Sequence, residues 1–558
     1  MYEEGSELET RFRIVIFSSL PPAKLEHLLR RLTTDLAPQV EIAGVLYEHP
    51  RAPLARSKRI KRAARLIGER DFRRFARHKF AATLSRKFQA QLDKTLRALH
   101  GAPPHPNGEP LTLERLADTC EARGVKFHQT RDLHDTTSLN FVRSLRADLG
   151  VVYGTRILKP ELFTIPERGS INIHKHKVPD YRGGGAPGIW ELRDGQTEQF
   201  VTAHRVTAEV DAGHILGERS FPVDEFDTLA SVGLKADLVG IDLLVDVIRA
   251  ESTGESVETP QPAGGALYKG FKAHQIFAIE REIGAHRAKF TPEYSRPAYK
   301  LVARTLAYPA LYLKNRRRQR EQNFPVVMLF HHVITDKRKR MGLPTEEFAR
   351  HVQYLKKHYR IASLEEALKM LREGRVAQPT VVLTFDDGYA ENFLCLRAVA
   401  ESENVPVALF VCTERVSERA PFAHDLHANE AGFPALDWDQ VRYLDQHNVA
   451  IGSHTRTHFD CGSTDRDALA AEIIGSKRDL CRELGHCVQF FAFPYGHPRN
   501  MSEEAREMAR ENFAYVFSAH GGVNYAPVSP PCELRRRSHP DSLWELELTL
   551  QSLLDIND

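Results

Sequence analysis

Long apolar runs are missing from this sequence. Nowhere in its 558 residues do 18 apolar side chains follow one another, so no stretch has the length a helix needs to cross a bilayer. The first residues, MYEEGSELETRFRIVIF, are acidic where an export signal would be basic and then apolar. These two absences give the expectation of an intracellular, cytoplasmic protein. Cysteine is sparse as well: seven residues, an odd number with no paired short spacing, argue against a disulfide framework and read as reduced packing thiols. A G-x-G-x-x-G turn is absent, because the first strand candidate runs into SSLPPAK, so the chain has no dinucleotide fingerprint. Compositional bias is missing too. With 42% hydrophobic and 27% charged residues, and with 34 Gly and 31 Pro spread along the chain, disorder is excluded for the bulk of it.

What is present is enough for two domains or more, since 558 residues exceed one ordinary core. The net charge of +3 conceals an asymmetry: residues 51–100 hold 16 Lys or Arg against three Asp or Glu. Two readings stand for that stretch. It is a solvated basic helical insertion, or it attracts an anionic partner such as membrane headgroups, a lipid phosphate or a nucleotide-linked substrate.

Strand-like and helix-like segments alternate from the start: RIVIFSS (13–19), LEHLLRRL (25–32), VEIAGVLYE (40–48), VKFHQT (125–130) and LGVVYG (149–154). Alternation of this kind implies a parallel sheet. TGESVETPQPAGG (253–265) marks a boundary by its Gly, Pro and polar residues. The following YSRPAYKLVARTLAYPALYLKNRRRQR (294–320) is apolar and aromatic with a basic end and is expected to be an amphipathic helix, kinked at Pro309. It packs between domains or lies in a membrane interface. From Pro325 a second strand and helix series runs through PVVMLFHHV, VVLTFDDGY, VPVALFV, VAIGSHTRTH, QFFAFPYG and AYVFSAH, a rhythm that suits a barrel-like α/β domain. The expected bounds are 1–255, a linker over 256–322, and 323–558.

In the second series, Asp386 and Asp387 stand side by side at the end of an apolar strand. Successive strand residues face opposite ways, so the pair can divide labour, one carboxylate holding a metal and the other acting on a water. His454 and His458 in GSHTRTH stand at i and i+4, a spacing that places two imidazoles on one side of a helical turn. Asp387, His454 and His458 thus form a three-ligand set with a position open to water, as catalytic zinc sites require. TFDDGY, SHTRTH and FAFPYG (491–496), in that order, resemble the three motifs of the polysaccharide deacetylase superfamily, carbohydrate esterase family 4, and PVVMLFHHV resembles its first strand. The resemblance implies a distorted (β/α) barrel that hydrolyses an N-acyl group from an amino sugar with a divalent metal, zinc first among them. It implies Asp386 as general base, the backbone of Tyr495 as oxyanion donor, and a late histidine, His539 in RRRSHP, as the candidate general acid. One departure stands out: Phe493 precedes Pro494 where the family commonly has Arg, so a different group must orient Asp386.

In the first series, SINIHKHKVPDYRGGGAPGIWEL (170–192) puts Asn172 and His174 two apart after a strand, hence on one face. HRVTAEVDAGHIL (204–216) supplies Asp211. Without a nucleophilic Ser or Cys these residues suit acyl transfer to a nucleophile carried by the substrate, Asn172 and His174 donating to a developing oxyanion and Asp211 holding the histidine and taking a proton from the amine. NIHKHKVPDYRGGGAP followed by VTAHRVTAEVDAGHI resembles the formyltransferase fold family over about residues 10–250. The resemblance implies a Rossmann-like domain that moves a formyl group from 10-formyltetrahydrofolate to an amine. YGTRILKP (153–160) is similar to the strand and loop that help bind the folate, through Tyr153, Gly154, Ile157 and Leu158. His176 and Lys177 stand where relatives commonly have Ser and Leu.

Family members that formylate initiator methionyl-tRNA carry a small β domain after the catalytic one; a deacetylase-like domain follows here, which argues against tRNA and towards an amino-sugar, nucleotide-sugar or lipid-linked sugar substrate. The expected function is therefore bifunctional, N-deacetylation by the second domain and N-formylation of an amine by the first, in surface-glycan metabolism, with peripheral contact to an anionic inner membrane face through the basic segment. Two alternatives remain open: formylation and deformylation of one amine, with formyl as a temporary protecting group, and a binding or scaffold protein with one degenerate site.

Overall fold

Strand β1 (Phe12–Ser18) shows how the first sheet is built: Ile14 and Ile16 belong to one buried cluster, while Val15 and Phe17 belong to another on the opposite side. Both faces of the strand are covered, so it reads as an unbroken apolar run. The computed structural model describes residues 11–49, 71–81, 83, 84, 87, 111–291, 308–427 and 432–551. Most of the basic stretch 51–100 and the start of the expected helix over 294–320 lie outside the described residues. The described chain divides into two compact units, one ending at Arg287 and one that includes residues 288–558.

In the first unit, β1 pairs in parallel with β2 (Val40–Glu48) and β4 (Leu149–Val152). Strand β3 (Lys126–Thr130) extends the sheet beyond β2, and β5 (Ser170–His174) extends it beyond β4. Two antiparallel strands, β7 (Glu198–Arg205) and β8 (Ile215–Pro222), complete the order β3-β2-β1-β4-β5-β7-β8. The strand order reverses between β1 and β4, the place where open α/β sheets bind ligands beyond their carboxyl ends. The helix Leu229–Thr253, opened by a Thr228–Ser231 capping box, buries Val239, Leu243 and Leu244 against one face. Residues 256–287, read from the sequence as linker, contain β9 (Ala266–Tyr268) and the helix Ala273–His286 within this unit. Strand β9 pairs with β6 (Tyr181–Gly183). Gly183 has φ +101, and a Cβ on it would collide with the Tyr268 carbonyl, so only glycine lets the two short strands approach.

The second unit opens with the helix Tyr308–Glu321 and β10 (Val326–His331). Short strands β11 (Val333–Ile334) and β12 (Gly342–Leu343) pair with one another. Strand β13 (Arg360–Ile361) leads to β14 (Thr380–Phe385), which pairs with β10, β13 and β15 (Val407–Val411). The series continues through β16 (Val449–Ser453), β17 (Phe490–Ala492), β18 (Tyr515–Phe517), β19 (Cys532–Leu534) and β20 (Arg537–Ser538), every neighbour parallel. Strand β20 returns to β10 at the opposite edge. Only Arg535 and Arg536 separate β19 from β20, so Leu534 and Arg537 are at most about 10 Å apart along extended chain. The two edges therefore meet, and the sheet curls into a distorted (β/α) barrel with Arg536 in its seam. Val326, Met328, Val382, Ala408, Phe410 and Phe517 fill one face of the sheet, and Phe348, Val352, Leu396 and Leu444 from the helices pack on the other. Among the described residues no helix is long and apolar enough to cross a membrane.

Candidate active sites

Alternation along β14 puts Val382, Thr384 and Asp386 on one face of the strand. The Asp386 carboxylate receives both terminal nitrogens of Arg536, Nη1 at 2.6 Å from Oδ1 and Nη2 at 2.9 Å from Oδ2. Nη1 also donates to Thr384 Oγ1 at 3.1 Å, and Nε donates to the Ser518 carbonyl at 3.2 Å. The guanidinium lies between the rings of Phe330 and Phe410 and is completely buried. Here is the group that orients Asp386 in place of the missing arginine before Pro494. It escaped the sequence reading because 150 residues separate the partners; the RRR run was its one signal.

Asp387 turns the other way. Its φ is +72, and Gly388 N donates across it to the Asp386 carbonyl at 2.8 Å, a tight three-residue turn. Strain of this sort persists where the surroundings enforce it, and it is concentrated at functional sites. The turn aims the carboxylate at three histidines: His458 Nε2 at 3.2 Å, His454 Nε2 at 3.5 Å and His332 Nδ1 at 3.4 Å. Burial alone would raise the Asp387 carboxyl, but His458, His332 and His454 hold it well below the usual carboxylate range. Burial pushes His454 down to about 4, so its ring is neutral at pH 7.

Ligand atoms of Asp387, His454 and His458 all lie within 4.8 Å of one another. His454 Nδ1 donates to the Ala492 carbonyl at 2.8 Å, which fixes the tautomer and leaves the Nε2 lone pair facing Asp387. Asp387 Oδ1 is buried without a hydrogen-bond partner. Two imidazole nitrogens and a carboxylate oxygen, with an acceptor left over, fit a divalent cation of the zinc type.

The two histidines do not sit on a helical turn as their spacing suggested. They lie in the loop after β16, where Thr455 and His458 have φ of +65 and +67. Glu472 takes the N–H groups of Arg456 and Thr457 at 2.8 and 3.0 Å and the Thr457 hydroxyl at 2.9 Å, so a side chain, not a helical ladder, satisfies this backbone. His539 also departs from expectation. Its Nε2 lies 2.6 Å from His351 Nδ1, its ring is 3.9 Å from that of His331, and Phe348 packs beside it. This buried cluster takes His539 out of the group around Asp387, because β20 ends there and the ring turns into the packing between β10 and the helix Thr345–His358. Groups that the sequence reading missed stand nearer: His332, and His424, whose ring is 4.7 Å from His458 and whose Nε2 meets Tyr389 Oη at 2.9 Å. Tyr495 is half exposed with φ +61, its ring 4.7 Å from that of His458.

In the first unit a cavity of about 1220 Å³ opens beyond the carboxyl ends of β4 and β5. Tyr153, Gly154, Ile157 and Leu158 line it, together with Asn172, His174 and Asp211. Gly154 has φ +71 and ties its carbonyl to Ser19 N at 3.0 Å; Ile157 is largely exposed, whereas Tyr153 is buried with its hydroxyl on the Asp237 carbonyl.

Asp211, with φ +49, gathers the polar groups. Its Oδ2 accepts from Gly183 N at 2.9 Å and lies 3.6 Å from His174 Nδ1. Its Oδ1 lies 3.3 Å from His204 Nε2 and 3.5 Å from Asn172 Nδ2. Burial would raise its carboxyl, yet the bonds and charges from His204, His174 and Gly183 hold it below the usual range. Burial pushes His174 down to about 4 against the pull of Asp211. His174 Nε2 donates to the Tyr181 carbonyl at 2.7 Å. His204, which the sequence reading passed over, has its Nε2 3.1 Å from Asn172 Nδ2. Its position opposite Asn172 in the β5–β7 ladder was visible only once the antiparallel pairing was known.

Comparison with known proteins assigns both regions. The family model described as formyl transferase matches residues 12–248, and the one described as polysaccharide deacetylase matches residues 373–513. Among curated relatives, the methionyl-tRNA formyltransferase of Listeria monocytogenes is 34% identical over 25% of this chain and 44% of its own length. That of Chromohalobacter salexigens is 28% identical over 37% of this chain and 59% of its own length. The chain thus spans about half the length of the curated relatives it matches. Among solved structures, IcaB from Ammonifex degensii is 21% identical, with a TM-score of 0.35, over 41% of this chain and 97% of its own. Residues 12–248 thus match the formyl transferase family and residues 373–513 the polysaccharide deacetylase family, within one polypeptide.

Proposed function

We propose that this chain removes an N-acyl group, acetyl in the first instance, from an amino sugar in its second unit and formylates an amine in its first. Both families act on carbon–nitrogen bonds to acyl groups, which supports the reading. The observation that carries it is the division of labour at the end of β14: Asp387 faces two imidazole Nε2 atoms while its neighbour Asp386 is clamped by Arg536. A divalent ion, zinc first among candidates, held by Asp387, His454 and His458 would supply Lewis acidity toward a water and an amide carbonyl. Asp386, fixed by its arginine, is then the base that takes a proton from the water. The neutral His454, tied to Ala492, keeps its lone pair for the ion. His332 and His424 are the groups positioned to return a proton to the leaving amine, the role earlier assigned to His539.

In the first unit, Asn172 and His174 orient the formyl carbonyl and Asp211 holds both histidines around it, with 10-formyltetrahydrofolate as donor in the cavity off β4. The amine freed by one chemistry is the nucleophile the other needs, which is why a nucleotide-linked or lipid-linked amino sugar is the substrate class proposed. The test supplies the zinc-loaded chain with N-acetylated sugar nucleotides and 10-formyltetrahydrofolate, and follows acetate release and product mass. Acetate release followed by N-formyl product is expected. Release of formate from a formamido sugar, without acetate release from the acetamido one, would instead support the protecting-group pathway, and neither product across the panel would refute both.

A further inference from the structure

Between β2 and β3 the chain inserts its most basic stretch. Residues 71–81 of that stretch are helical, and so are residues 83, 84 and 87 beyond them. We propose that the outer face of this helix docks on the surface of an anionic lipid bilayer. The docking stands apart from the acyl chemistry proposed above, and either can hold without the other.

One side of the helix already has a partner. Phe72 meets the His274 ring edge-on at 5.7 Å, and Phe75 and His78 lie 5.9 and 4.8 Å from the Phe277 ring. His274 and Phe277 belong to the helix Ala273–His286, so this contact fixes which way the segment faces. With 3.6 residues per turn, Phe72, Phe75 and His78 share one side, and Arg73, Arg77, Phe80, Leu84 and Lys87 fall on the opposite one, within a stripe of about 80°. All five are exposed, Phe80 at 67% and Leu84 at 53%.

The make-up of that stripe selects its occupant. A lone apolar residue on a surface is ordinary, but Phe80 and Leu84 are neighbours one turn apart, with Arg73 and Arg77 before them and Lys87 after. The headgroup boundary of a bilayer takes both kinds of group at once: lipid phosphates meet the cations, while the first acyl carbons take the two apolar side chains. Arginine and lysine stems are long enough to lie along that boundary with their charged ends in water. A nucleic acid would pair with the cations and leave Leu84 in water. The surrounding chain carries the matching charge, since residues 51–100 hold 16 Lys or Arg against three Asp or Glu.

The experiment sediments the full chain with vesicles of phosphatidylcholine alone and of phosphatidylcholine with added phosphatidylglycerol, at low and at high salt. We expect binding to the anionic vesicles, little to the neutral ones, and weakening as salt rises. Phe80→Ser/Leu84→Ser should lower partition onto anionic vesicles by at least about tenfold, and Arg73→Glu/Arg77→Glu by at least about twentyfold, with the urea midpoints of both variants at the wild-type value. Undiminished binding by Phe80→Ser/Leu84→Ser would overturn the proposal, because the contact would then be electrostatic alone. A wild-type chain that ignores anionic vesicles would overturn it as well, and so would one that transfer RNA strips from them, which would assign the face to nucleic acid. If the double variants unfold, Phe80→Trp takes their place: quenching of its fluorescence by lipids brominated on the acyl chain is expected, and quenching no greater than in the wild type overturns the proposal.

Discussion

Arg536 is the residue on which most of the second site turns. Its guanidinium is wholly buried, pairs bidentately with Asp386 and sits between two aromatic rings. Taking such a charge out of water is tolerable only while the pair is intact, and removing one partner leaves the other charged and buried. Arg536→Met is therefore expected to destabilise the second unit by about 3–5 kcal/mol, read from urea unfolding, and to remove most deacylation by unfixing the base. The double variant Arg536→Met/Asp386→Leu should recover much of the stability and none of the activity. Equal stability of Arg536→Met and wild type would show that the clamp does not hold in solution. The sequence offered half of this arrangement. FDDGY announced two carboxylates with different duties, because alternation along a strand is a local property. The arginine that serves one of them comes from the far end of the barrel, and no local pattern encodes a pairing made by closing a sheet.

At the scale of elements, the interface between β10, β20 and the helix Thr345–His358 is built from His331, His351, His539 and Phe348. Burial pushes His351 down to about 4 and holds His331 and His539 well below the ordinary imidazole range. The folded cluster stays neutral where the unfolded histidines, titrating near about 6.5, bind protons. Stability is then complete above about pH 6.5 and declines as pH falls towards 4, by up to about 1.4 kcal/mol per pH unit for each histidine. Urea midpoints of the second unit should drop between pH 7 and pH 5, and His351→Leu/His539→Leu should flatten that slope; a parallel slope in the variant would place the acid sensitivity elsewhere. Strand positions themselves were legible, since VVLTF, VALFV and RIVIF are apolar runs whose length and branching leave little choice. The loop after β16 was not. SHTRTH reads as a helical turn by spacing, but Glu472 captures its backbone from 15 residues beyond Thr457, and residues with positive φ complete the turn. The strands β6 and β9 were invisible for a similar reason: three residues each are too few to show a period.

For the whole molecule, the two constellations draw their partners from separate stretches of chain. The groups in contact with Asp211 and His174 described above come from residues 172–211, and those around Asp386 and Asp387 come from residues 330–536. A mixed sheet in the first unit and a parallel one in the second, each with its own buried core, give each site a scaffold of its own. Loss at one site should then leave the other working. In Asp387→Ala, bound zinc measured by mass spectrometry and acetate release should both vanish. The same protein, given an amino sugar already deacetylated, should formylate it at the wild-type rate. In His174→Ala the reverse is expected: acetate is released normally and the product stops at the free amine. Impaired formylation of the ready-made amine by Asp387→Ala would mean that the deacetylase site does more than supply substrate, and the two chemistries would have to be treated as one coupled reaction.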